Sequence, residues 1–126
     1  MSNLVDIETQ PVIDVWADVV RARRVEGDRI TLALVELAPD AVVPGHHHDA
    51  EQLGMVIEGS LIFTIGDERR ELGPGGTWQI RSDTPHQATA GPAGATVIDV
   101  FTPRRTDWDA LPPLAPRPAL RWPARR

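Results

Sequence analysis

The sequence predicts an all-β domain, a sandwich or barrel built from short strands. Three observations carry that reading. Segments rich in β-branched residues alternate apolar and polar positions, most clearly over residues 29–37 ("RITLALVEL") and 52–65. Breaker clusters punctuate them at close spacing: "EGD", "APDA", "GDE", "GPGG", "SDTP" and "GPAG". No stretch before Thr106 has a convincing helical period.

Along the chain, residues 1–15 read as a loosely structured lead-in. "VWADVVRARRV" fits either a helical turn or a strand, and a strand ending at Glu26 to Asp28 is preferred. Residues 29–37 are a strand, "APDA" a turn, and "VVPG" leads into His46, His47 and His48. "QLGMVIEG" and "SLIFTIG" read as two strands joined by a tight turn at Glu58-Gly59-Ser60. "RREL", "TWQIR", "HQATA" and "ATVIDVF" complete the series, with "GPAG" as a hairpin loop between the last two. Residues 111–126 concentrate Pro and Arg. Pro fixes φ and removes a donor, so this tail should be extended and stay out of central strands. A free tail is preferred over an arm docked through Leu114, Leu120 and Trp122. The chain is thus expected to be one domain over residues 1–110 with a tail over 111–126.

With 126 residues, a core can form without disulfides or a structural metal. There is no cysteine, which excludes thiolate zinc sites, Cys nucleophiles and iron–sulfur clusters. A net charge of −5 argues against a nucleic-acid partner. No apolar run reaches membrane-spanning length, and the N-terminus lacks a leader pattern. A cytoplasmic protein with no membrane partner is the expectation.

Three of the four histidines are adjacent. On a strand, residues two apart share a face, so His46 and His48 would aim inward and His47 outward. Gln52 begins the next strand and could add an amide oxygen. His86 follows Pro85 at another strand start, and a closed barrel could bring it opposite the first pair. Three imidazoles and one amide oxygen suit one divalent first-row metal (Zn, Ni, Fe or Mn) with open positions for water or substrate. The competing reading is a solvated His-rich turn.

"PGHHHDAEQLGMVIEGSL" resembles the first cupin motif, a H-x-H followed by an acidic or amide ligand and, after six residues, a Gly. "LGPGGTWQIRSDTPHQ" is similar to the second motif, with "PGG" where P-G-D is commoner. The resemblance implies a cupin jelly-roll barrel with His46, His48, Gln52 and His86 as metal ligands. His47 falls on no ligand position. Many cupins carry Glu at the Gln52 position. A neutral amide leaves the site one positive charge richer, so the metal should be held less tightly and polarise a bound oxygen more strongly.

"VIDVFTPRRTDW" holds a second constellation. Asp99 interrupts an apolar run, and a carboxylate there is costly to bury unless paired or hydrogen-bonded. Residue types alone leave two readings open: a structural Asp99–Arg105 pair closing the sheet edge, or an acid/base beside an anion clamp. The ending is similar to the D-V-F-S-P-x-R ending of small cupins that open unsaturated uronate rings. That resemblance implies active-site roles for Asp99, Phe101 and Arg105. Thr102 replaces the usual Ser, and Arg104 is unexplained.

Met55, Phe63, Trp78 and Phe101 are expected to form a rather apolar cavity wall against a small-molecule substrate. Trp16, Trp108 and Trp122 read as packing residues, and Arg21, Arg23 and Arg24 as a solvated face. Three functions follow: metal-dependent ring opening or keto–enol conversion of an unsaturated uronate, polyketide cyclisation by a monocupin, or ligand sensing without turnover. By analogy with small cupins a homodimer is expected.

Overall fold

The computed structural model describes residues 2–114. The expected β architecture is present. Eight strands run in the order β1 (Ile13–Trp16), β2 (Val20–Glu26), β3 (Thr31–Leu37), β4 (Val42–His46), β5 (Glu51–Ile65), β6 (Glu68–Leu72), β7 (Thr77–Ile80) and β8 (His86–Thr102). Single 3-10 turns stand at Ile7–Thr9 and Thr106–Ala110.

β5 and β8 form an antiparallel ribbon that organises the rest. Glu51 to Gly59 pair with Ala95 to Thr102, and Leu61 to Ile65 pair with His86 to Ala90. The first half of the ribbon is extended by β3, β2 and β1 on one side and β7 on the other. The second half is extended by β4 and β6. One ribbon therefore supplies the middle of two leaves, whose inner faces bury a shared core including Val35, Val56, Leu61, Phe63 and Val97.

Two turns predicted from the sequence are bulges within this ribbon. Glu58-Gly59-Ser60 does not reverse the chain, because β5 continues to Ile65. Gly91 to Gly94 is not a hairpin loop, because β8 runs on in the same direction. The register passes from Gly59↔Ala95 to Leu61↔Ala90, so Ser60 stands opposite the whole "GPAG" segment. Gly59 takes φ +79, and a Cβ there would lie 2.1 Å from Gly94 O. The glycines marked special backbone geometry, which a bulge requires as much as a turn does.

The bulges change which residues face inward. Gln52 and Val56 are buried before them, Leu61 and Phe63 after them. Inward positions pass from even to odd numbers, so Met55 and Phe63 lie on opposite faces despite their matching parity. Met55 is 39% exposed on the outer face, beside Ile98 in register, and does not line the cavity as expected. Met55→Lys should change stability by less than about 1 kcal/mol, while Phe63→Ala should cost about 3–5 kcal/mol. Urea denaturation of the two variants checks this; comparable losses would contradict the face assignment.

The N-terminal region is more structured than expected. "VWADVVRARRV" is a hairpin: Trp16 pairs with Val20 across Ala17 and Asp18, which take φ 49 and 60. Asp14 Oδ1 accepts the Asp18 N–H at 2.9 Å and supports that turn. Trp16 is 48% exposed and is not a packing residue, whereas Trp108 is buried. Arg23 is buried on the outer face rather than solvated, 3.9 Å from Glu36. Of the tail, Asp14 donates to Pro112 O at 3.0 Å and Leu114 to Val12 O at 2.9 Å, so its first residues dock on β1. Leu120 and Trp122 lie outside the described residues.

Candidate metal centre

His46 closes β4 and His86 opens β8, and the two stand directly opposite in the register. His48 follows two residues later in the connection to β5. Ring centroids are 4.2 Å apart for His46 and His86, 4.8 Å for His48 and His86, and 5.6 Å for His46 and His48. One ring nitrogen from each lies within 4.8 Å of the others. His47 points away: its side chain is 64% exposed and meets Asp83 at 3.5 Å.

Each ring of the cluster has its Nδ1 against a backbone carbonyl: His46 on Pro44 O at 2.9 Å, His48 on Ala50 O and His86 on Thr84 O at 2.8 Å each. A carbonyl only accepts, so each Nδ1 carries a proton, and in a neutral ring so bonded Nε2 holds the lone pair. This is the outer-shell arrangement that orients metal-binding imidazoles. His48 Nε2 is buried with no hydrogen-bond partner, which is costly for a ring nitrogen unless a cation meets it. Burial pushes the His86 pKa down to about 4 and also lowers that of His48, aided by the Arg105 charge. Both rings thus stay neutral, the state a metal requires. The residues present fit a divalent first-row metal.

Gln52 is buried at the start of β5, and its Nε2 donates to Asp99 Oδ1 at 2.8 Å. Trp78 Nε1 donates to the same oxygen at 3.0 Å. The buried carboxylate is therefore hydrogen-bonded rather than ion-paired, and the Asp99–Arg105 edge pair is not formed. Desolvation still dominates, raising the Asp99 pKa from 3.8 to about 6 against the opposing pull of Gln52, Trp78 and Arg105.

Arg105 lies at the same cavity. Its guanidinium sits 4.7 Å from the Phe101 ring centroid and 4.8 Å from that of Trp108. Asp107 grips it through Nε–Oδ1 at 3.0 Å and Nη2–Oδ2 at 2.9 Å. Sequence reading missed this support. Asp107 and Trp108 stand in "PRRTDW" two and three residues after Arg105, and acidic and aromatic neighbours so close to an expected anion clamp were the available signal. Arg104 has a structural role: it pairs with Glu26 and, at 3.2 Å, with Asp109, and Arg24 meets Asp109 at 3.0 Å. These pairs fasten the 3-10 turn that carries Trp108 to β2.

The cavity measures about 100 Å³. Its polar groups are His46, Gln52, His86, Gln87, Asp99 and Arg105, and Phe63, Trp78 and Phe101 are among its apolar walls. Of the predicted site residues the structure brings all together except Met55. Arg105 also borders a more polar recess outside, with Arg29, His48, Asp49 and Arg104.

A family model for the cupin domain matches residues 33–101, spanning His46, His48, Gln52, His86, Asp99 and Phe101. The chain is a cupin. Solved structures agree on the fold. An RmlC-like cupin from Shewanella frigidimarina NCIMB 400 is similar at TM-score 0.77 and 19% identity, over 85% of this chain and 96% of that one. KdgF from Halomonas sp. is similar at TM-score 0.76 and 27% identity, over 85% and 98%. The polyketide cyclase RemF from Streptomyces resistomycificus is similar at TM-score 0.70 and 26% identity, over 82% and 80%. No curated protein sequence matches this cupin. Among its described residues no helix is long and apolar enough to cross a membrane.

Proposed function

We propose that this cupin is a metal-dependent enzyme that moves a proton on a small anionic, oxygenated substrate, and that ring opening or keto–enol conversion of an unsaturated uronate is its reaction. The observation that carries the reading is a buried carboxylate, Asp99, placed with Arg105 on the cavity of a three-histidine cluster. His46, His48 and His86 would hold the metal, with the Gln52 amide oxygen as fourth ligand. The bound cation supplies Lewis acidity toward a substrate oxygen. Asp99, with a pKa near the working range of a general base, gives and takes the proton. Arg105, pre-oriented by Asp107 between two aromatic rings, holds the substrate carboxylate. Phe101 and Phe63 exclude water from the reacting atoms. The resemblance of the "DVFTPRR" ending to that of small cupins that open unsaturated uronate rings supports the choice of substrate. The Arg-bearing recess offers polar partners for sugar hydroxyls.

A second reading, polyketide cyclisation, draws on the similarity to RemF and on the apolar walls. A cavity of about 100 Å³ leaves less room for a multi-ring ligand than for a single sugar ring, which places this reading second. The test is metal analysis of the purified protein, followed by incubation with 4,5-unsaturated galacturonate while its double-bond absorbance is recorded. A first-row metal together with turnover is expected. Protein free of such metal that also fails to take one up would sink the enzyme reading. Binding without turnover would turn the assignment to a sensor.

A further inference from the structure

We propose that Trp78 and Gly54 are positioning residues of the metal centre: they fix Asp99 so that the Gln52 amide presents its oxygen, not its nitrogen, to the histidines. The proposal rests on the metal-centre reading above.

Gly54 stands in register between Trp78 on β7 and Asp99 on β8. The Trp78–Asp99 hydrogen bond passes over it. A Cβ at position 54 would lie 2.2 Å from Trp78 Nε1 and 2.4 Å from Asp99 Oδ1, far inside contact distance. Any side chain there must push donor and acceptor apart. Glycine in a strand interior weakens it, and close approach of other groups is the usual reason to keep one. Here the close approach is a hydrogen bond between side chains of two neighbouring strands.

The direction of each bond is fixed by chemistry. An indole N–H only donates, and a carboxylate oxygen outside its acid form only accepts. Trp78 is itself held, with its ring 4.8 Å from Phe63 at 42°. It therefore pins Oδ1 of Asp99 in one place. That same oxygen takes the Gln52 NH2 at 2.8 Å. An amide whose NH2 is committed in one direction turns its carbonyl oxygen the other way, and Gln52 lines one cavity with His46 and His86. Without the anchor, the amide is free to flip and offer an NH2, which cannot ligate. Sequence reading placed Trp78 in the cavity wall and gave Gly54 no role.

The test is Zn²⁺ affinity, measured by competition with a chromophoric chelator, so that no substrate is needed. Trp78→Phe keeps the ring and removes the donor, and its Kd should rise by about 10–100-fold. Gly54→Ala should weaken binding in the same direction and at least as much. Gln52→Ala sets the full loss available through the amide. In the double variant Trp78→Phe/Gln52→Ala, binding should be no weaker than in Gln52→Ala alone. Wild-type affinity in Trp78→Phe would overturn the proposal. So would a double variant in which the two losses multiply, because a merely structural tryptophan would give that result. Should Gly54→Ala fail to fold, Trp78→Phe and the cycle still decide. Wild-type protein that binds no Zn²⁺ would overturn the metal-centre reading and this proposal together, whereas a multiplicative cycle removes the proposal alone.

Discussion

Asp99→Asn should lower kcat by about 10²–10⁴-fold, the usual loss when a general acid or base is removed. Metal content should stay at the wild-type level. The substitution is close to isosteric, and the Asn oxygen can still accept from Gln52 and Trp78, so the hydrogen-bonded frame survives while the proton carrier is lost. Metal analysis beside steady-state kinetics separates the two effects. Undiminished kcat would take Asp99 out of the mechanism. In the wild type, activity should rise with pH as Asp99 ionises, at a pH below the metal-free value of about 6 because a bound cation favours the carboxylate.

The same substitution has a stability signature in metal-free protein. Asp99 titrates at about 6 in the fold against an ordinary 3.8. Between those values the folded state keeps a proton that the unfolded chain has released. Its contribution to stability is fully present below the ordinary value and is lost as pH rises through about 6. The difference is worth on the order of 3 kcal/mol. Asparagine has no such dependence. The stability of Asp99→Asn relative to wild type should therefore improve by about that amount from pH ~4 to pH ~8. Parallel pH profiles for the two proteins would contradict the buried-carboxylate account.

His86→Ala should abolish stoichiometric metal. Losing a ligand must cost more than losing its outer-shell partner, so affinity should fall by more than about 100-fold. His47→Ala is the matched control and should bind as wild type, because that ring faces solvent. Acid provides an independent check. Burial holds the His86 pKa at about 4 against an ordinary 6.5, so the folded ring stays neutral where a free imidazole would be protonated. In metal-free protein the His86 ring should therefore titrate near 4 by NMR. A midpoint near 6.5 would show that burial does not protect the ring.

Much of the site was legible in the sequence because it follows local rules. The H-x-H spacing separated His46 and His48 from His47, although β4 ends at His46 and His48 stands in the connection that follows. Alternation over residues 97–101 put Asp99 and Phe101 on one strand face, and the resemblance to small cupins turned that face toward the site. What failed was the placement of Met55 with Phe63 on the cavity wall. Only the register of β5 against β8 reveals that the inward face changes between them. Gly59 and Gly94 announced unusual backbone without saying whether the chain would reverse. The Trp78–Asp99 and Arg24–Asp109 contacts were also out of reach, since each joins residues far apart in sequence through a particular strand order. The fold class survived these errors, because bulges and turns both interrupt strands at glycine.

The β5–β8 ribbon also bears on how the molecule assembles in time. Glu51 pairs with Thr102, and Gln52 pairs with Phe101. These contacts close a long stretch of chain, and non-local pairing of this kind makes folding slow. His46 and His86 meet only once β4 has docked on the far half of β8. No early hairpin contains a complete ligand set. On dilution from denaturant, metal capture should therefore coincide with the last cooperative step, and a bound ion would hold the finished ribbon shut by slowing its opening rather than by speeding its closure.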